Sequence, residues 1–113
     1  MHELALTKSL IELVERQAQT QGFHRALEIR LKLGEYSGVI PEYILDLFPE
    51  AAKDTPAAGA VLVFEKLPGR FQCSACGYEG PVDRHAAACP QCGGTALKMT
   101  AGREFFVDSL KVE

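Results

Sequence analysis

CSACGYEGPVDRHAAACPQCGG, residues 73–94, holds every cysteine of the chain in two Cys-x-x-Cys pairs, Cys73 with Cys76 and Cys89 with Cys92. Twelve residues separate the pairs. Each pair turns tightly enough to aim two sulfurs at one point, and a loop of that length brings the second pair opposite the first. Four thiolates make a closed tetrahedral site with no position open to substrate, which is the chemistry of structural zinc. Two disulfides are the other use of four cysteines. Against them, the cysteines crowd one short segment instead of spreading through a scaffold. Glycines also follow both pairs (Gly77, then Gly93 and Gly94), where small residues let backbone amides approach sulfur. The charged Glu3, Lys8 and Glu12 leave no apolar run near the start that would serve as a secretory signal.

Pro68-Gly69 opens the metal segment and Ala101-Gly102 closes it, so a zinc-binding domain is expected over 68–101. Iron is the competing metal. Cys76-Gly77-Tyr78 and Cys89-Pro90-Gln91-Cys92-Gly93 look like rubredoxin knuckles, although those are normally separated by a longer stretch. On either side lie apolar runs of strand length, 60–66 with Val61, Leu62, Val63 and Phe64, and 105–112. These two strands are expected to pair, with the module projecting from their connection.

Further upstream the period changes. Residues 4–21 read as an amphipathic helix, with Leu6, Leu10, Leu13, Val14 and Ala18 near one face and Gly22 as its stop. Residues 26–33 alternate, with Leu27, Ile29, Leu31 and Leu33 on one face, as in a half-buried strand. Pro41 opens a second helix carrying Tyr43, Ile44, Leu47 and Phe48, and Pro49 is expected to kink or restart it. The first domain is therefore expected to comprise 1–67 and 102–113.

At 113 residues there is room for one compact domain with an appendage, and 47% hydrophobic residues suffice for a modest core without disulfides. The net charge of −3 and a pI of about 5.6 argue against a general nucleic-acid binder. Residues 70–103 set only Arg70, Arg84, Lys98 and Arg103 against Glu79 and Asp83, too little for a nucleic-acid-binding ribbon. No apolar stretch reaches spanning length, so no membrane partner is expected. A cytoplasmic protein follows, as a monomer or weak homo-oligomer.

Met1-His2-Glu3 offers a second kind of metal chemistry. A large second residue blocks methionine removal, which retains Met1. Its α-amine, the His2 amide nitrogen and the His2 imidazole can then chelate one ion through fused rings. The Glu3 amide or a ligand from elsewhere would complete a plane. Deprotonated amides with imidazole suit nickel(II) and copper(II) rather than zinc. Taken alone, the same residues read better as a frayed terminus whose His2 points into water, with Glu3 favouring the positive end of the helix dipole.

The combination of Met1-His2-Glu3, a helix and strand of these lengths, Cys73-x2-Cys76-x12-Cys89-x2-Cys92 and a short closing strand resembles the HypA/HybF family of nickel metallochaperones for [NiFe]-hydrogenase maturation. The resemblance covers essentially the whole chain. It implies an α+β fold, two helices packed on a small three-stranded sheet with an inserted zinc-ribbon-like domain. It implies nickel on Met1, His2 and Glu3, and zinc on Cys73, Cys76, Cys89 and Cys92. The implied partners are the GTPase HypB and the hydrogenase large-subunit precursor, and urease maturation is a further possible destination. The implied activity is transfer of Ni(II) rather than catalytic turnover, with Zn(II) structural.

Four other residues carry weaker signals. His85, four residues before Cys89, could replace a thiolate, but reads better as a loop histidine. His24 reads as a surface residue. Glu42 and Asp46 read as a solvated helical face, with an axial oxygen for nickel as the alternative if that helix lies near Met1. No nucleophile–base set and no phosphate loop is present, so no enzyme is expected.

Overall fold

The structure, a computed structural model, describes residues 2–113. α1 (Glu3–Gln21) ends where Gly22 turns left-handed at φ 75° and donates its N–H to the carbonyl of Ala18. Its buried residues are Thr7, Leu10, Ile11 and Val14. The expected stripe is thus rotated toward Ile11, leaving Leu6, Leu13 and Ala18 half-buried. Thr7 tolerates full burial because its hydroxyl donates to the Glu3 carbonyl at 2.7 Å, so no polar atom is left unpaired. β1 (Ala26–Gly34) keeps the alternation seen in the sequence and buries Ile29, Leu31 and Leu33.

α2 (Pro41–Ala51) packs against α1 and buries Ile44 and Phe48. Pro49 lies inside α2, which runs on to Ala51, so the helix does not restart there. Near the last turn the proline forgoes only its own bond to the carbonyl four residues back, and Ala52 still donates to the Phe48 carbonyl at 2.8 Å.

Among the described residues, six strands form two sheets. β2 (Val61–Leu67), β1 and β6 (Phe105–Val112) make one, in the order β2-β1-β6. The strands expected to pair with each other instead flank β1. β1 carries the densest burial, whereas β2 and β6 are half-exposed along their length, as suits edges. Gly34 donates to the Glu104 carbonyl at 2.7 Å and Glu113 to the Arg25 carbonyl at 3.0 Å, so β6 runs antiparallel to β1. A Lys32–Glu65 ion pair joins β1 to β2. The second sheet, β4-β3-β5, was not foreseen. It consists of β3 (Arg70–Cys73), β4 (Glu79–Gly80) and β5 (Leu97–Ala101), all antiparallel.

The chain divides into two compact units, the second being Leu33–Ser37 with Lys66–Phe105 and the first the remainder. The first unit, with α1, α2 and most of β1, β2 and β6, holds the apolar core. In the second, backbones approach so closely that side chains are excluded. A Cβ on Gly34 would lie 2.2 Å from the Gly102 carbonyl oxygen, and one on Gly69 would lie 2.3 Å from the Tyr36 ring. Tyr36 donates its N–H to Gly102 at 2.7 Å, and Glu35 donates to Leu67 at 2.8 Å while its carboxylate accepts from Gly69. These contacts bring the ends of the metal segment to the end of β1.

Candidate metal centre

The two cysteine pairs take the same local conformation. After each, a left-handed glycine (Gly77 at φ 81°, Gly93 at φ 73°) donates back to the first cysteine's carbonyl at 2.9 and 2.8 Å. Cys73 and Cys89 in turn donate to the carbonyls of Tyr78 and Gly94, each at 2.8 Å. A side chain at Gly77 or Gly93 would meet nothing within 4 Å, so glycine is needed there for its φ alone. β3 delivers Cys73 at its last residue. Ser74 donates to the Ala96 carbonyl at 3.0 Å, tying the first knuckle to the segment after the second.

The four sulfurs lie within 4.8 Å of one another, with Cys73 and Cys92 at 3.8 Å and Cys76 and Cys89 at 3.5 Å. A tetrahedral ion with four sulfurs at about 2.3 Å requires sulfur–sulfur edges of about 3.8 Å. A disulfide would need about 2.05 Å, and all four cysteines are free. Cys73 and Cys89 are buried, Cys76 half-buried and Cys92 exposed, so one corner of the tetrahedron faces solvent. Gly94 donates its N–H to Cys92 Sγ at 3.4 Å. Such amides offset the negative charge that four thiolates and a divalent ion leave behind.

Without a metal the quartet holds protons unevenly. The Tyr78 amide lowers the Cys76 pKa, but burial and the thiols of Cys89, Cys92 and Cys73 outweigh it, and the group is pushed up to about 12. Burial raises Cys89, yet the amides of Cys92 and Gln91 and the thiols of Cys76 and Cys92 bring it down to about 7. The donor set, the spacing and the supporting amides fit a structural zinc ion, which would hold β3, β4 and the two knuckles together.

His85 is exposed, donates its backbone N–H to Asp83 Oδ1 at 2.9 Å and is not part of the sulfur cluster. Its neighbour Arg84 lies over the Tyr36 ring at 4.9 Å from the centroid, and Phe71 meets that ring edge-on at 5.7 Å. This aromatic packing beside the knuckles had no signal in the sequence, because Tyr36 and Arg84 lie far apart along the chain.

Met1 lies outside the described residues. His2 caps α1 in an extended conformation and makes no side-chain capping bond, while its carbonyl accepts from Leu6 at 3.1 Å. His2 is exposed and Glu3 half-buried. The two line a groove of about 390 Å³ with Leu4, Tyr43, Asp46 and Leu47, so Asp46, but not Glu42, faces the space beside His2. His24 is exposed. Among the described residues, the four cysteines are the only group of three or more such ligands that could hold a metal.

The profile described as "Hydrogenase/urease nickel incorporation, metallochaperone, hypA" matches residues 1–112. The chain is 40% identical, over the full length of both proteins, to the hydrogenase maturation factor HypA of Geobacter metallireducens. It is 36% identical to the HypA of Dehalococcoides mccartyi, across all of this chain and 95% of that one. Its fold is similar to the solution structure of the Ni metallochaperone HypA from Helicobacter pylori, with a TM-score of 0.71 and 22% identity over 99% of this chain and 97% of that one. A second solution structure of a HypA protein gives a TM-score of 0.75 at 23% identity, over 100% and 97%. Two helices with small sheets are common to these folds, and a cysteine quartet stands where a zinc-ribbon-like insert is expected. The chain belongs to the HypA family of hydrogenase/urease nickel incorporation metallochaperones.

Proposed function

We propose that this protein captures Ni(II) at Met1-His2-Glu3 and delivers it for [NiFe]-hydrogenase maturation, with urease as a second destination. The family match over residues 1–112 carries this reading, and the exposure of His2, which makes no side-chain capping bond, supports it. The Met1 amine, the His2 amide nitrogen and the His2 imidazole form the chelate, with Glu3 contributing beside them. α1 anchors the site, since the Leu6 N–H donates to the His2 carbonyl while the imidazole makes no capping bond to the helix. Binding displaces protons from the amine and the amide, so nickel is held at neutral pH and released on acidification. Copper(II) binds such donors more tightly still, so selection rests on metal supply and partner contacts.

In this reading Cys73, Cys76, Cys89 and Cys92 hold structural Zn(II) in a domain spanning 68–101. Residues 1–67 and 102–113 form the nickel-binding domain. The partners are the HypB GTPase and the hydrogenase large-subunit precursor, met in the cytoplasm. No helix of the described residues is long and apolar enough to cross a membrane.

The test is a nickel titration of untagged, zinc-loaded protein beside His2→Ala, followed by absorption spectroscopy. One equivalent in a planar diamagnetic site, lost in the variant, is expected. Equal binding by both proteins would remove the terminus from the site.

A further inference from the structure

α2 buries Ile44 and Phe48, and its other side is unusually apolar for a surface. Tyr43 is 52% exposed and stands in one groove with Leu4, itself 43% exposed, and Leu47, directly beside His2 and Glu3. Glu42, Asp46 and Glu50 recur every fourth residue along the same helix, so they form one flank of it, and all three are exposed. α2 carries no lysine or arginine to balance them. An apolar strip edged by a row of acids that make no ion pair among the described residues therefore borders the terminus from which nickel must leave.

We propose that this strip is the docking surface for a nickel-accepting protein whose matching face carries an apolar side chain ringed by lysine or arginine. The inference rests on the nickel reading of the terminus, because an acceptor must bring its own ligands to His2 and so cover the residues around it. The charge row decides among occupants. A second copy meeting this face across a two-fold axis would set the acidic row against itself. Anionic lipid and nucleic acid are repelled by the same row. A basic protein face satisfies both parts of the surface at once, with Tyr43 as the anchor and the acids steering the encounter.

The experiment measures docking without nickel, so that it stands apart from the nickel reading. Zinc-loaded, nickel-free full-length protein is titrated calorimetrically with the nickel-free large subunit of a [NiFe]-hydrogenase. The same titration is run for Tyr43→Ser and for Glu42→Lys/Glu50→Lys. Nickel release to EDTA from each loaded protein is the companion measurement.

Each variant is expected to raise the docking Kd at least tenfold. Native binding should weaken as salt is added, and release to EDTA should not change. Three results would overturn the proposal. One is a failed docking pattern, native-like binding by both variants or none by the native chain. Another is a change in nickel release as large as the loss of docking, which would assign the strip to the metal site. The third is light scattering that shows Tyr43→Ser merely dissolving a dimer of this chain. Failure of the native protein to bind nickel would instead sink the nickel reading while leaving the docking measurement intact.

Discussion

Cys76 and Cys89 show how one residue type becomes two chemical states within a few ångströms. Their sulfurs are 3.5 Å apart, yet one thiol is pushed up to about 12 and the other brought down to about 7. At pH 7.5 the metal-free protein therefore still carries the Cys76 proton, and a metal must displace it. The sign follows: the metal-free state binds more protons, so zinc affinity rises with pH and falls on acidification. Zinc calorimetry in buffers of different ionisation enthalpy should show release of at least one proton per ion. Proton-neutral uptake would mean that Cys76 is not a ligand. The cysteines themselves were plain in the sequence, because ligand spacing is a local property. The amides of Tyr78, Gln91 and Gly94 were not, since their direction depends on the left-handed turns at Gly77 and Gly93.

Element by element, the sequence was legible where a local rule had no competitor. Gly22 stops α1, Pro41 starts α2 and the alternation at Ile29, Leu31 and Leu33 marks β1. It failed where the outcome depends on comparison between distant segments. Which strand takes the middle of the sheet is set by the relative burial of β1, β2 and β6, and not by adjacency in sequence. The short β4, with only Glu79 and Gly80, exists because β3 offers it an edge, and no pattern of two residues could announce it. Pro49 does not restart α2 for a different reason: a proline near a helix end forfeits one bond, whereas in mid-helix it also disturbs the turns on both sides. Pro49→Ala should restore that bond at an exposed site and stabilise the protein by about 1–3 kcal/mol, the usual penalty of a helical proline or somewhat less. Urea denaturation of the zinc-loaded protein would register it. Unchanged or lowered stability would show that the proline's restriction of the unfolded chain outweighs the missing bond.

Across the whole molecule the two units differ in what holds them together. Leu10, Val14, Ile29, Leu31, Ile44 and Phe48 give the first an apolar core of ordinary kind. In the second the buried positions are Leu33, Cys73 and Cys89 with Gly34, Gly69, Gly80 and Gly102, too little apolar surface to hold a fold unaided. Stripping zinc with a chelator should therefore abolish amide protection across residues 70–101 while the helical circular dichroism of α1 and α2 persists. Hydrogen exchange followed by NMR separates the two regions. Retained protection of β3 and β5 in metal-free protein would show that the sheet, and not the ion, organises that unit.

The seating of Leu67 and Glu104 at neighbouring points on the end of β1 bears on chain entropy. For β6 to reach β1, the segment between those residues must close on itself, and an unfolded loop resists closure. Once the knuckles are joined, most of that freedom is already gone and the two ends emerge side by side. The penalty of a flexible loop grows only slowly with length, by about 0.6 kcal/mol per doubling. Residues inserted in the mostly exposed loop 81–88 should thus weigh little on the pairing of β6. That loop can vary in length and sequence while the sheet of β2, β1 and β6 stays as it is.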